Sequence, residues 1–250
     1  MGHSVFLSVI FGVIFMFAEN DKKLIIVGHR GASGLEVENT LKSFELAIKL
    51  GVDMVELDVH QCKSGHLVVF HDDTVDRLTD GEGRIADLTL AQLRKLNIKK
   101  DQKIPTLDEV LQLIDKRCKV NIELKGEGTG KSTALILGRY LKKGWLLDQF
   151  VVTSFNFYEL RDFQVVLPHI PIGIIFDRLP IDYTLFAQQF GAQNIMMNYT
   201  LLTPSLMDRA KARGLRVFAW TVNKIMDAKM LIKLGVDGIV TDYPNKLIRK

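Results

Sequence analysis

Residues 54–71 read MVELDVHQCKSGHLVVFH, and the reading of the architecture turns on them. Polar and apolar residues alternate from Val55 to Val59 with the period of a strand, Lys63-Ser64-Gly65 is a turn signal, and a second apolar run follows at 67–70. This pattern spells a hairpin. The strand rises, turns near Ser64-Gly65 and returns antiparallel, which brings His71 back to about the level of Asp58 and Val59. Side chains two apart on a strand share a face, so Glu56 and Asp58 point the same way and His71 arrives beside them.

On either side of this hairpin, short apolar runs alternate with longer periodic segments. The runs at 24–28, 54–59, 120–124, 150–154, 172–176, 194–197, 215–220 and 238–241 read as strands. Helices are expected between them, for example at 39–50, opened by Asn39 and Thr40 and stopped by Gly51, and at 204–213, with Pro204 in the first turn and Gly214 as the stop. Eight βα repeats predict an α/β protein, a (β/α)8 TIM barrel spanning 23–250 with a hairpin and an insertion after the second strand. An open doubly wound sheet is the alternative, and against it no Gly-x-Gly-x-x-Gly turn follows the first strand. The insertion, 72–105, holds polar turns such as Asp80-Gly81-Glu82-Gly83 and one expected short helix at 89–96. It stands at the barrel mouth, where insertions shape access to a site.

The chain has 250 residues, 47% hydrophobic and 25% charged, which excludes wholesale disorder and a polytopic membrane protein. Its 33 basic and 29 acidic residues are dispersed, without the basic block that a nucleic-acid track would need. Two cysteines, Cys62 and Cys118, exclude a disulfide framework and a four-thiolate zinc site. The barrel reading puts Cys62 roughly 13 Å above the site and Cys118 roughly 17 Å below it. A disulfide needs Cα atoms within ~7 Å, so both thiols should be free, which leans slightly towards the cytoplasm. Residues 1–22 contain an apolar stretch at 5–18, shorter than the ~20 residues that span a bilayer. It reads as a secretory signal, as a short anchor that would bring the protein to a membrane, or as an artefact of the start site, with Met16 as the true first residue.

Chemistry-bearing residues gather where these strands end. The first strand ends in His29-Arg30, the second carries Glu56-x-Asp58, the hairpin returns His71-Asp72, and the third carries Glu123-x-Lys125. Any one of these carboxylates could equally cap a loop or pair with Arg30 or Lys125. Three together would repel one another unless a hard cation, Mg2+ or Ca2+, were held between them. Two imidazoles that titrate near neutrality can act as base and acid, while Arg30 and Lys125 offer positive charge to a phosphate. The residues thus point to metal-assisted phosphoryl chemistry.

The segments HRGASGLEVENTLKSFELAI, VELDVHQCKSGHLVVFHDDTVDRLTDGEGRIADLT, IPTLDEVL, NIELK, VTSFN, FAWTVN and GVDGIVTDYP occur in this order. Together they resemble the glycerophosphodiester phosphodiesterase family over essentially everything after Leu24. The resemblance implies a (β/α)8 barrel that hydrolyses glycerophosphodiesters, small-molecule substrates, to sn-glycerol 3-phosphate and an alcohol. By motif, His29 and His71 correspond to the acid/base pair, Glu56, Asp58 and Glu123 to the ligands of one divalent cation, and Arg30 and Lys125 to phosphate contacts. Mg2+ ranks ahead of the more adaptable Ca2+. Trp220 and Phe155 correspond to substrate-facing residues, although core packing would also explain Trp220. Leu35-Glu36-Val37 replaces the family's usual aromatic and Ala-Pro pair, a change at the mouth that removes no charged group. A membrane-associated enzyme of the lysophospholipase D type is the alternative that residues 5–18 would suit.

Overall fold

The computed structural model describes residues 23–99, 101–178 and 182–248. Its strands are β1 (Ile25–Gly28), β2 (Met54–Gln61), β3 (Leu67–Val69), β4 (Lys119–Leu124), β5 (Phe150–Ser154), β6 (Ile172–Phe176), β7 (Asn194–Asn198), β8 (Arg216–Trp220) and β9 (Gly238–Thr241). Strand β1 pairs in parallel with β2 on one side and with β9 on the other, so the parallel order β1-β2-β4-β5-β6-β7-β8-β9 closes on itself. The result is the expected eight-stranded barrel. Strand β3 stands outside the ring, antiparallel to the upper half of β2, with Val59 opposite Val69 and Gln61 opposite Leu67.

Around the barrel run α1 (Leu41–Leu50), α2 (Leu90–Leu93), α3 (Leu107–Ile114), α4 (Thr129–Lys142), α5 (Phe157–Val166), α6 (Tyr183–Phe190), α7 (Pro204–Ala212) and α8 (Ile225–Leu234). Strand alternation divides the apolar residues into two populations. Val55, Leu57, Val120, Ile122, Val152, Ile172 and Ile195 face outward against Phe44, Leu111, Leu137 and Phe163 of the helices. Val27, Met54, Val151, Ile175, Met196, Phe218 and Val240 fill the barrel interior beneath the mouth. A plugged interior leaves only the carboxyl ends of the strands open for chemistry.

The strand boundaries differ from expectation by at most two residues. The largest extension, β2 to Gln61, follows from its continued pairing with β3. Asn39 does not cap α1. Thr40 alone does so, its Oγ1 accepting from Ser43 N, while Asn39 sits at φ 56 with its side chain turned into the site. The helix expected at 89–96 shortens to α2, closed at its start by a Thr89–Gln92 capping box. Beyond it Arg94 donates to the Ile104 carbonyl, and Asn97 is held by Asp80, so the chain turns away. The insertion carries a small core of its own, Val75, Ile85, Leu93, Ile98 and Ile104, joined to Cys62, Val68 and Phe70 of the hairpin. It returns to the barrel where Val69 N donates to the Pro105 carbonyl at 2.8 Å. Residues 5–18 lie outside the described residues, among which no helix is long and apolar enough to cross a membrane.

Cys62 and Cys118 are buried and unpaired, and burial pushes the Cys118 thiol up to about 11. Thiol titration under denaturing, non-reducing conditions should therefore count two reactive groups, and the folded protein should react slowly at both. An intramolecular cross-link found by mass would contradict this geometry.

Glu159, only 6% exposed, reaches from α5 to the start of α4. It accepts from Gly128 N at 2.9 Å, Gly130 N at 2.7 Å and Thr129 Oγ1 at 3.3 Å. A carboxylate satisfying the orphan amides of a helix N-terminus is doubly favoured there, by hydrogen bonding and by the helix dipole. Glu159→Ala strands these buried donors, so it should cost about 2 kcal/mol, seen as a melting temperature lower by roughly 4–8 °C.

Candidate active site

The turn after β1 is built tightly. Gly31 adopts φ 86, and a Cβ there would come within 2.4 Å of Ser43 Oγ. That close approach lets Ser43 Oγ accept from Ala32 N at 2.9 Å and donate to the Arg30 carbonyl at 2.9 Å. Arg30 is held in left-handed backbone at φ 51, with its amide donating to Glu56 Oε2 at 2.8 Å. Strain in a non-glycine residue persists only where its surroundings over-determine it, and here three hydrogen bonds do so.

Glu56, Asp58 and Glu123 each offer a carboxylate oxygen, and these atoms lie within 4.8 Å of one another. On each residue one oxygen is engaged by the protein. Glu56 Oε2 takes the Arg30 amide, Asp58 Oδ2 takes Asn39 Nδ2 at 2.8 Å, and Glu123 Oε1 takes Lys125 Nζ at 3.0 Å. The second oxygen of each makes no hydrogen bond among the described residues. Three carboxylates face two cations, Arg30 Nε at 3.5 Å from Asp58 and Lys125 Nζ at 3.9 Å from it. Burial and the surplus of negative charge both favour protonated carboxyls. Burial, then the charges of Asp58 and Glu123, pushes the Glu56 carboxyl well above the usual range, and burial with Asp58 pushes Glu123 up to about 7. A set of clustered hard oxygens short of positive charge fits a divalent cation. Arg30 Nε is buried and lacks a hydrogen-bond partner among the described residues, its nearest charge being Asp58 Oδ2.

Each histidine is buttressed through Nδ1. His29 Nδ1 lies 2.6 Å from Asp242 Oδ1, which also accepts from Ser33 Oγ at 2.8 Å, while Asp242 Oδ2 accepts from Asn223 Nδ2 at 2.6 Å. Burial alone would raise the Asp242 carboxyl; the bonds from His29, Asn223 and Ser33 outweigh it and hold it down to about 2. His71 Nδ1 lies 2.7 Å from Asp72 Oδ1, and its Nε2 lies 3.3 Å from Lys125 Nζ. Burial, reinforced by Arg30 and Lys125, lowers the His71 imidazole below its ordinary value. The hairpin places this residue as expected, with Phe70 N donating to the Asp58 carbonyl at 3.0 Å.

These groups share a cavity of about 240 Å³. His29, Arg30, Glu56, His71, Glu123 and Lys125 line one half; Phe155, Ile175, Met196, Trp220 and Val240 line the other. Phe155 and Trp220 meet edge to face at 6.1 Å, and Lys125 Nζ lies 5.9 Å from the Phe155 ring centre. Trp220 therefore faces the cavity and is not a plain core residue. Asp58 is the one expected residue set behind the cavity wall, only 1% exposed.

Sequence reading passed over Asp242, Glu38 and the role of Asn39. Asp242 follows directly after β9, the same placement at a strand's carboxyl end that picked out the other site residues. Glu38 accepts from Arg30 Nη1 at 2.8 Å and carries no periodic signal.

Fold and mouth together define a (β/α)8 barrel with an acidic cluster and two buttressed histidines at the carboxyl ends of its strands. The profile of the glycerophosphoryl diester phosphodiesterase family matches residues 29–246. A glycerophosphodiester phosphodiesterase of Caldanaerobacter subterraneus is 40% identical over 237 residues, covering 90% of this chain and 97% of the relative. A Bacillus subtilis protein described as a putative enzyme of the same activity is 38% identical over 243 residues, covering 90% and 97%. Among solved structures, an Oleispira antarctica phosphodiesterase in complex with the product sn-glycerol-3-phosphate superposes with a TM-score of 0.83 at 31% identity, covering 89% of this chain and 94% of that one. The chain belongs to the glycerophosphoryl diester phosphodiesterase family.

Proposed function

We propose that the chain hydrolyses glycerophosphodiesters to sn-glycerol 3-phosphate and the free alcohol, with one divalent cation held by Glu56, Asp58 and Glu123 and with His29 and His71 carrying the protons. The observation that carries this reading is the convergence of three carboxylates, each offering an oxygen within 4.8 Å of the others, beside two imidazoles, each tied at Nδ1 to an aspartate. With Nδ1 tied, Nε2 is the nitrogen for substrate, and on His71 it must exchange Lys125 Nζ, 3.3 Å away, for the substrate oxygen. The Oleispira phosphodiesterase binds sn-glycerol 3-phosphate, which supports the product class. When bound, the cation, Mg2+ ahead of Ca2+, polarises the phosphoryl oxygens as a Lewis acid.

One histidine, unprotonated at Nε2, takes the proton of the attacking hydroxyl as the new oxygen–phosphorus bond forms. The other, protonated, gives its proton to the leaving alcohol oxygen as the old bond breaks. If the glycerol 2-hydroxyl attacks, a cyclic phosphate results, and the same proton traffic in reverse lets water open it. Both imidazoles then return to their starting states. Arg30 and Lys125 face the phosphoryl oxygens, where positive charge stabilises the transition state more than the ground state.

The uncharged half of the cavity takes the carbon skeleton of the substrate. Trp220→Ala should raise KM about tenfold, equivalent to ~1.4 kcal/mol, with a smaller fall in kcat, and Trp220→Phe should recover most of it. Unchanged KM in Trp220→Ala would remove this residue from the substrate surface.

The test of the whole reading is release of choline from glycerophosphocholine, with glycerol 3-phosphate identified as the co-product, compared with release of choline from lysophosphatidylcholine, with and without chelator. Turnover of the water-soluble diester that chelation abolishes is the expected result. Turnover of the lysophospholipid alone would overturn it in favour of a lysophospholipase D.

A further inference from the structure

We propose that Arg77, supplied by the insertion, is a positioning residue that holds His71 and Arg30 in working geometry at once. The inference rests on the reading of His71 and Arg30 as substrate-facing groups. Arg77 Nε donates to Asp72 Oδ2 at 2.6 Å and Nη2 to Asp72 Oδ1 at 3.1 Å. The same guanidinium donates from Nη2 to Glu38 Oε1 at 2.7 Å and from Nη1 to Glu38 Oε2 at 3.1 Å. Both carboxylates stand directly behind site residues. Asp72 Oδ1 is the partner of His71 Nδ1, and Glu38 Oε1 is the partner of Arg30 Nη1. One planar fork thus joins two chains, His71–Asp72 and Arg30–Glu38, which also meet through the longer Lys125–Asp58–Arg30 ion pairs. Only a guanidinium presents enough donors in fixed directions to grip two carboxylates bidentately.

The charges along this chain respond to the clamp. The Arg77 hydrogen bond is the leading cause that brings the Asp72 carboxyl down to about 2. Burial pushes Glu38 up, and the bonds from Arg77 and Arg30 outweigh it, so that carboxyl too lies below its ordinary value. Both therefore remain anionic acceptors, able to fix the donor opposite them.

A merely structural role would have Arg77 hold its own loop, and the loop is held without it. Thr79 N and Oγ1 both donate to the Val75 carbonyl, at 3.1 and 2.9 Å, Val75 N donates to the Gly83 carbonyl at 3.0 Å, and Ile85 N donates to the Asp73 carbonyl at 2.9 Å. Val75 and Ile85 are fully buried, whereas the Arg77 side chain is 47% exposed. Half-exposed ion pairs add little stability, so the clamp's effect is expected in orientation.

Arg77→Ala, assayed for glycerol 3-phosphate release well below its melting temperature, should lose ~10–100-fold in kcat with KM little changed, as partners behind active groups typically do. Arg77→Lys should remain impaired, since one ammonium cannot grip both carboxylates, and Arg77→Gln serves should the alanine variant fold poorly. In a Glu38→Gln/Asp72→Asn background, Arg77→Ala should add less than about twofold, because the carboxylates through which it acts are gone. Wild-type kcat in Arg77→Ala, or an undiminished loss in that background, overturns the proposal. His71→Ala separates it from the reading it rests on. Wild-type turnover there overturns the catalytic role of His71 and this inference with it, whereas an inactive His71→Ala beside a fully active Arg77→Ala overturns this inference alone.

Discussion

Alanine at His29 or His71 is expected to lower kcat by ~10²–10⁴-fold in protein that remains folded, the range for loss of a general acid or base. Both residues sit in turns held by backbone contacts that the substitution leaves in place: Arg30 N to Glu56 on one side, Phe70 N to the Asp58 carbonyl on the other. Melting temperature should therefore change little while turnover collapses. The double variant should lie well above the product of the two single losses, because a reaction deprived of either proton carrier already runs by a different route. Near wild-type turnover in either single variant would remove that histidine from the proton chemistry. The aspartates behind them give a graded control. Asp242→Asn keeps the shape but alters what His29 Nδ1 faces, and should lose activity less severely than His29→Ala.

Exhaustive chelation is expected to abolish turnover, by ~10³-fold or more given the several kcal/mol that a Lewis acid contributes, and readdition of Mg2+ should restore it. Glu123→Gln should mimic chelation but resist rescue. The pH dependence follows from the carboxyls. Without cation, Glu123 titrates at about 7, above the ordinary 4.5, so its contribution to stability is fully present below pH 4.5 and is lost as pH rises through about 7. The chelated protein should thus melt at a lower temperature at pH 8 than at pH 6. Added Mg2+ should raise the melting temperature more at pH 8, where no proton competes for the carboxylate. Equal stabilisation at both pH values would show that the ion binds elsewhere.

The barrel was legible because its signals are local. Strands β5, β6 and β9 match their expected bounds, each being an apolar run between turn residues. The placement of His71 beside the acidic pair followed from counting residues around a tight hairpin. What escaped the sequence were partners set far apart along the chain. Asp242 meets His29 across 213 positions, and Arg77 meets Glu38 across 39. No periodicity connects such pairs; only ring closure and the fold of the insertion bring them together. Asn39 was misread for a different reason. Asn and Thr are both good helix caps, and adjacent residues cannot both take the cap, so Thr40 did and Asn39 was left to hold Asp58.

The return of the insertion to the barrel at the Val69–Pro105 hydrogen bond has a bearing on how this architecture can diversify. A loop whose two ends are pinned side by side is closed before its contents are chosen, and doubling its length adds only about 0.6 kcal/mol of closure entropy. With its own apolar nucleus under Ile85 and Leu93, such a segment can lengthen, shorten or exchange its outer surface while the strands beneath keep their spacing. No described residue of 78–104 lines the site cavity, so this outer surface can drift without disturbing bond cleavage, provided that the few residues at the root of the loop stay put. Chimeras that transplant residues 78–104 between relatives should accordingly retain turnover.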